Sequence, residues 1–77
     1  MKNYDVQVGK IIAKHRKDKG ITQLELSKKL GWGRSTISNI ERGDISMGLK
    51  SFQDYCTAIG ADPDEIFKEI YNATRKR

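Results

Sequence analysis

Five short helices in an all-α fold are predicted for this 77-residue chain by three observations. Gly20, Gly31, Gly43 and Gly60 each close a run of apolar residues spaced for one helix face, the place where a left-handed residue ends a helix. Start signals follow these glycines, with a capping residue or glycine ahead of each new apolar run. The single proline, Pro63, stands where a helix would begin rather than inside one.

The first helix is expected over about residues 5–19, with Val8, Ile11, Ile12 and His15 facing inward. The second is expected over 23–30. Thr22 is its N-cap and Glu25 its third residue, a capping box, while Ile21 and Leu26 occupy the hydrophobic-staple positions and Leu26 and Leu30 face the core. The third is expected over 34–42, with Gly33 at the cap, Trp32 and Ile37 as the staple, and Ile37 and Ile40 inward. The fourth is expected over 49–59, capped by Gly48, stapled by Met47 and Phe52, with Leu49, Phe52, Cys56 and Ile59 inward. The fifth is expected over 63–73, with Asp62 as N-cap, Pro63 first and Glu65 third. Its stripe of Ile66, Phe67, Ile70 and Tyr71 is broader than a terminal helix needs to cover a thin core. Two to six residues join successive helices, which fits one domain over 1–74 with a frayed basic tail at 75–77.

Only 36% of the residues are apolar, and no run approaches the roughly 18 apolar residues of a membrane span. The N-terminal stretch "MKNYDVQVGK" has no apolar segment of a secretory signal. With one cysteine and one histidine the chain has neither an internal disulfide framework nor zinc-ligand spacing, so a cytoplasmic protein without metal or cofactor is expected. Cys56 reads as inert core packing rather than a redox sensor, and His15 as a half-buried core histidine rather than a pH switch. No carboxylate pair, Cys–His or Ser–His–Asp set, or phosphate-cradling glycine loop supports an enzyme. The net charge of +5 is uneven: residues 1–50 hold eleven Lys/Arg against five Asp/Glu, and residues 51–74 hold one against five. A basic portion of a small domain is a footprint for polyanions, or else a solvated surface with incidental asymmetry.

The third helix separates these readings. With about 100° between successive residues, Ile37 and Ile40 share one edge, and Ser35, Ser38, Asn39 and Arg42 lie opposite. Arg34 sits in the first turn, and Glu41, the only acid of the helix, points sideways. This small, polar, carboxylate-free face suits the major groove of B-DNA, which offers acceptors to arginine and donor–acceptor pairs to asparagine. A turn of three to four residues, "LGWGR", joins the second and third helices, as in a helix-turn-helix. Ser27 is small enough for their crossing, and Gln23 opens the second helix with its amide and free backbone N–H groups available to a phosphate.

The run "QLELSKKLGWGRSTISNIERG", with "VGKIIAKHRKDKGITQ" before it, resembles the phage repressor and Cro-type helix-turn-helix, also called xenobiotic-response-element-like, over about residues 6–70. The resemblance implies a five-helix DNA-binding domain that binds palindromic double-stranded operator DNA as a homodimer and regulates transcription. By position, Arg34, Ser35, Ser38 and Asn39 would face base edges, Gln23 and Arg42 would face phosphate, and Arg16 would pair with Glu41 and lean toward phosphate. The loop from Ser46 to Lys50 would add backbone contacts. The length also resembles restriction–modification controller proteins and stand-alone repressors. The sequence departs from the family at Trp32, where an aliphatic residue is usual, at Gly33, where serine or threonine is usual, at Gly48, which replaces a typical serine cap, and at His15, where leucine or isoleucine is usual. Trp32 is read as a staple residue, with the DNA backbone as its alternative contact. A dimer surface is expected on helix five, through Ile66, Phe67, Ile70 and Tyr71, and the adjoining end of helix four. An antitoxin or interaction module holding a protein partner with the same fold is the alternative, and a protein co-regulator stays open.

Overall fold

Local signals decide where each helix begins and ends. A computed structural model describes residues 3–75 as five α-helices, with no strand among them. They are α1 (Asn3–Asp18), α2 (Gln23–Leu30), α3 (Arg34–Arg42), α4 (Leu49–Ile59) and α5 (Pro63–Thr74). At α2 the Thr22 hydroxyl accepts from the Glu25 amide at 3.0 Å, and the Glu25 carboxylate accepts from the Thr22 amide at 2.9 Å. At α5 the Asp62 carboxylate accepts from the Asp64 amide at 3.0 Å, one residue past Pro63. The Arg75 amide donates to Tyr71 O at the far end of α5, while Lys76 and Arg77 of the expected tail lie outside the described residues. No helix among the described residues is long and apolar enough to cross a membrane.

α1 packs across α3 and α5, α2 packs on α3 and α4, and α4 closes on α5. The core they enclose holds Val8, Ile11 and Ile12 of α1, Leu26 of α2, Ile37 and Ile40 of α3, Tyr55, Cys56 and Ile59 of α4, and Ile66 and Ile70 of α5. Ile21, Trp32, Met47 and Phe52, all expected in staples, pack against its margin. Burial pushes the Cys56 thiol up to about 11, with Asp62 adding to the shift, so the thiol stays protonated and inert.

Several expected inward positions are not inward. Leu49 is 77% exposed because it opens α4, ahead of the turn that reaches the core. Phe67 and Tyr71 are 52% and 53% exposed, their rings stacked with centroids 6.4 Å apart. Ile66 and Ile70 form one stripe of α5, and Phe67 and Tyr71 form a second about 100° around the helix. Only the first meets the core. His15 is half-buried as expected, but on the seam between α1 and α5, where its Nε2 lies 2.8 Å from Glu69 Oε1. Lys14 donates to the other Glu69 oxygen at 2.7 Å, and these two hydrogen bonds hold the Glu69 carboxyl below the usual carboxylate value.

Two glycines let α1 and α3 meet backbone to backbone. A Cβ on Gly9 would lie 2.3 Å from the Glu41 carbonyl oxygen and 2.7 Å from that of Ile40. Gly43 ends α3 at φ 84°, and a Cβ there would lie 2.7 Å from Val6 Cα. Neither helix can give at such contacts, because the obstacle is main chain. Gly9→Ala is therefore expected to destabilise the domain by about 1–3 kcal/mol, read as a lower urea midpoint. Gly48→Ser is the control, since nothing lies within 4 Å of its added Cβ. The new hydroxyl there can cap α4, for a gain of about a few tenths of a kcal/mol.

Candidate nucleic-acid interface

Four helices converge on one carboxylate. Arg16 of α1 donates from Nε to Glu41 Oε2 and from Nη2 to Glu41 Oε1, both at 2.8 Å. Gln23, the first residue of α2, donates from Nε2 to Glu41 Oε1 at 3.0 Å. Tyr55 of α4 donates its phenolic hydrogen to Glu41 Oε2, with Ile12 O as a second acceptor at 3.3 Å. Arg16 Nη1 donates to Ile21 O at 2.7 Å, which ties the turn before α2 into the same set. The Arg16 and Glu41 side chains are only 7% and 6% exposed, and among the described residues no buried side-chain nitrogen or oxygen lacks a partner.

The ion pair expected from the sequence is thus present, but it is buried rather than an exposed surface pair. Arg16 is turned inward, with Nε, Nη1 and Nη2 each bonded within the protein. Burial alone pushes the Glu41 carboxyl up. The hydrogen bonds from Arg16, Tyr55 and Gln23, with the Arg16 charge, outweigh it and hold the group below its usual value. The Arg16 guanidinium is held more firmly protonated by its hydrogen bonds to Glu41, against its own burial. Burial, and then the hydrogen bond to Glu41, push the Tyr55 phenol far up, so it remains a donor. Tyr55 was missed in the sequence, although its place three residues after Phe52 puts it on the inward face of α4.

With its one acid withdrawn, the outer face of α3 is uncharged or basic. Arg34 and Ser35 are exposed, and Ser38 and Asn39 are half-exposed. Arg42 joins three neighbours: Nη1 donates to Ser38 Oγ at 2.6 Å, Nη2 to Asn39 Oδ1, and Nε to Asp44 Oδ2 at 3.1 Å. Gln23 lies at the edge of this face, with one of the two N–H donors of its amide given to Glu41. Lys50 stands apart on α4, exposed and paired with Asp54 at 2.9 Å. Ser27 is buried where α2 crosses α3, its hydroxyl donating to Leu24 O at 2.7 Å. Among the described residues no three His, Cys, Asp or Glu side chains are grouped to hold a metal ion.

The helix-turn-helix family pattern matches residues 12–66, most of the chain. The chain belongs to the helix-turn-helix family. An uncharacterized HTH-type transcriptional regulator from Methanothermobacter thermautotrophicus is 36% identical over 58 residues, covering 74% of this chain and 84% of the relative. The restriction–modification controller protein C.AhdI from Aeromonas hydrophila superposes with a TM-score of 0.75 at 31% identity, covering 80% of this chain and 94% of that one. An XRE-family like protein from Pseudomonas syringae superposes at 0.80 with 29% identity, covering 94% and 87%. The clp gene regulator ClgR from C. glutamicum shares the fold at 0.86 over 96% of each chain, with 23% identity. This helix-turn-helix protein is of the phage repressor and Cro type, a family of DNA-binding transcriptional regulators.

Removing one partner of a buried pair costs about 3–5 kcal/mol, because the other charge is left unpaired. Glu41→Gln is expected to lower the stability of the helix-turn-helix domain by an amount of that order. The pH profile should change with it. The folded Glu41 carboxyl lies below its unfolded value of about 4.3, so its stabilisation is full at neutral pH and fades as pH falls through the folded value. Urea midpoints of the wild type should therefore drop below about pH 4, and Glu41→Gln should flatten part of that acid limb.

Proposed function

We propose that the protein binds palindromic double-stranded operator DNA as a homodimer, with α3 in the major groove of each half-site. The observation that carries this reading is the outer face of α3, from which the only carboxylate of the helix has been drawn inward. Arg34, Ser35, Ser38 and Asn39 read base edges, where arginine and asparagine match the donor–acceptor pattern of the major groove. Gln23 and the free N–H groups at the start of α2 meet a phosphate, as helix N-termini do. Arg42 and Lys50 add phosphate contacts. Arg16 acts through Glu41, orienting Gln23 and α3.

Association follows from what one protomer can cover. A helix of nine residues reads only a few base pairs, and two copies related by a twofold axis read half-sites about 34 Å apart. On α5 the apolar surface available for a second copy is Phe67 and Tyr71, since Ile66 and Ile70 belong to the protomer core. An apolar groove lined by Tyr4, Val8, Met47, Leu49, Phe52 and Phe67 continues that surface. The part of α4 that adjoins this groove is its beginning, at Leu49, rather than its C-terminal end.

Selection of bound fragments from random duplex DNA tests the reading: a recovered inverted repeat is the expected result, and recovery of no enriched sequence would sink it. On the recovered site Arg34→Ala is expected to cost about 1–3 kcal/mol and to relax the preference at one base position per half-site. Gln23→Ala should weaken all sequences alike. In sedimentation at tens of micromolar, the wild type is expected as a dimer and Phe67→Asp/Tyr71→Asp as a folded monomer. A monomeric wild type would rule out this assembly.

A further inference from the structure

Lys10, Lys14 and Lys17 have no part in the Glu41 network. They stand at i, i+4 and i+7 on α1, within an arc of about 60° and over a length of about 10 Å. Together with Gln23, Ser38 and Arg42 they line an open cleft between α1 and α3. The carboxylates of the cleft are Glu41, already neutralised by Arg16, and Asp18. Lys14 shares its ammonium with Glu69, whereas among the described residues Lys10 and Lys17 have no ion-pair partner. Like charges one or two turns apart on a helix repel by about a few tenths of a kcal/mol, and among the described residues no ion pair relieves the two outer lysines.

We propose that this cleft is a second anion-binding surface, which holds a stretch of the DNA sugar–phosphate backbone beside α3, with Lys10 and Lys17 as its principal phosphate ligands. The proposal rests on the reading of α3 as the recognition helix and extends the footprint of the protein to α1. Three properties fit a backbone strand rather than base edges. The lysines lie beyond the outer face of α3, on its flank. An ammonium on a flexible stem neutralises phosphate as a point charge and lacks the planar fork that reads guanine. The length of the stripe matches about three of the axial steps, each about 3.4 Å, between successive charges of one strand. Ser38 and Arg42 line both the cleft and the reading face, so a strand in the cleft is continuous with a groove that receives α3.

The test compares the wild type with Lys10→Gln/Lys17→Gln and with Asp18→Asn, on the selected operator and on a random-sequence duplex, across a series of salt concentrations. All three changes are at exposed positions. The double variant is expected to lose about 0.9 per lysine from the slope of log affinity against log salt, and to weaken both duplexes by the same factor with base preference unchanged. Asp18→Asn is expected to strengthen both. An unchanged slope in the double variant, with the wild type still binding, would overturn the cleft and leave the recognition helix intact. A loss confined to the operator would also overturn it, because the lysines would then read sequence. A wild type without salt-dependent duplex binding would overturn the DNA reading of α3, and the cleft with it.

Discussion

The Glu41 carboxylate is the constraint on which the rest of the domain depends. Both oxygens are shared, Oε1 between Arg16 and Gln23 and Oε2 between Arg16 and Tyr55. An ionised carboxylate so little exposed is tolerable only when its lone pairs are matched, and here the match draws on three other helices. The orientation of α3 is therefore not left to the apolar contacts of Ile37 and Ile40 alone, which would permit sliding and rotation. A directional network fixes the rotation about the α3 axis, and with it which residues look outward.

That network also sorts the charges of the domain. The acid most able to repel a polyanion from α3 is inside, neutralised, and the arginine that neutralises it is inside as well. What remains on the flanks of α3 is Arg34, Arg42 and the lysines of α1. On the other side, α5 turns Ile66 and Ile70 to the core and leaves the Phe67–Tyr71 stack in solvent, with the Arg75 guanidinium 5.4 Å from the Tyr71 ring centroid. The basic residues beside α3 and the exposed aromatic stack are thus carried by different helices.

Much of this was legible in the sequence, for physical reasons that differ by residue. Thr22, Glu25 and Asp62 act within one turn of themselves, so their spacing alone announces the start of α2 and of α5. Ile37 and Ile40 on one edge of α3 determine its outer face, and the Arg16–Glu41 pair followed from the resemblance. The depth of that pair did not, because exposure depends on Tyr55 and Gln23 closing over it from other helices. Tyr55 lay on a readable face of α4, yet the partner of its hydroxyl is 14 residues away. On α5 the two apolar stripes are equal in sequence, and only the position of α1 decides which one is covered. Gly9 carried a faint signal: a glycine inside a helix costs about 1 kcal/mol against alanine and so implies a packing reason, but the reason lies on α3.

The closest approach between α1 and α3, at Gly9 and Gly43, involves no side chain from the outer face of α3. A joint made of main chain does not shift when distant side chains are exchanged, because nothing in it has to repack. Positions 34, 35, 38 and 39 can therefore be rewritten as letters on a fixed page. With α3 reading bases as proposed, new preferences would arise by substitution there, in a laboratory or over generations, while the frame that presents them keeps its shape.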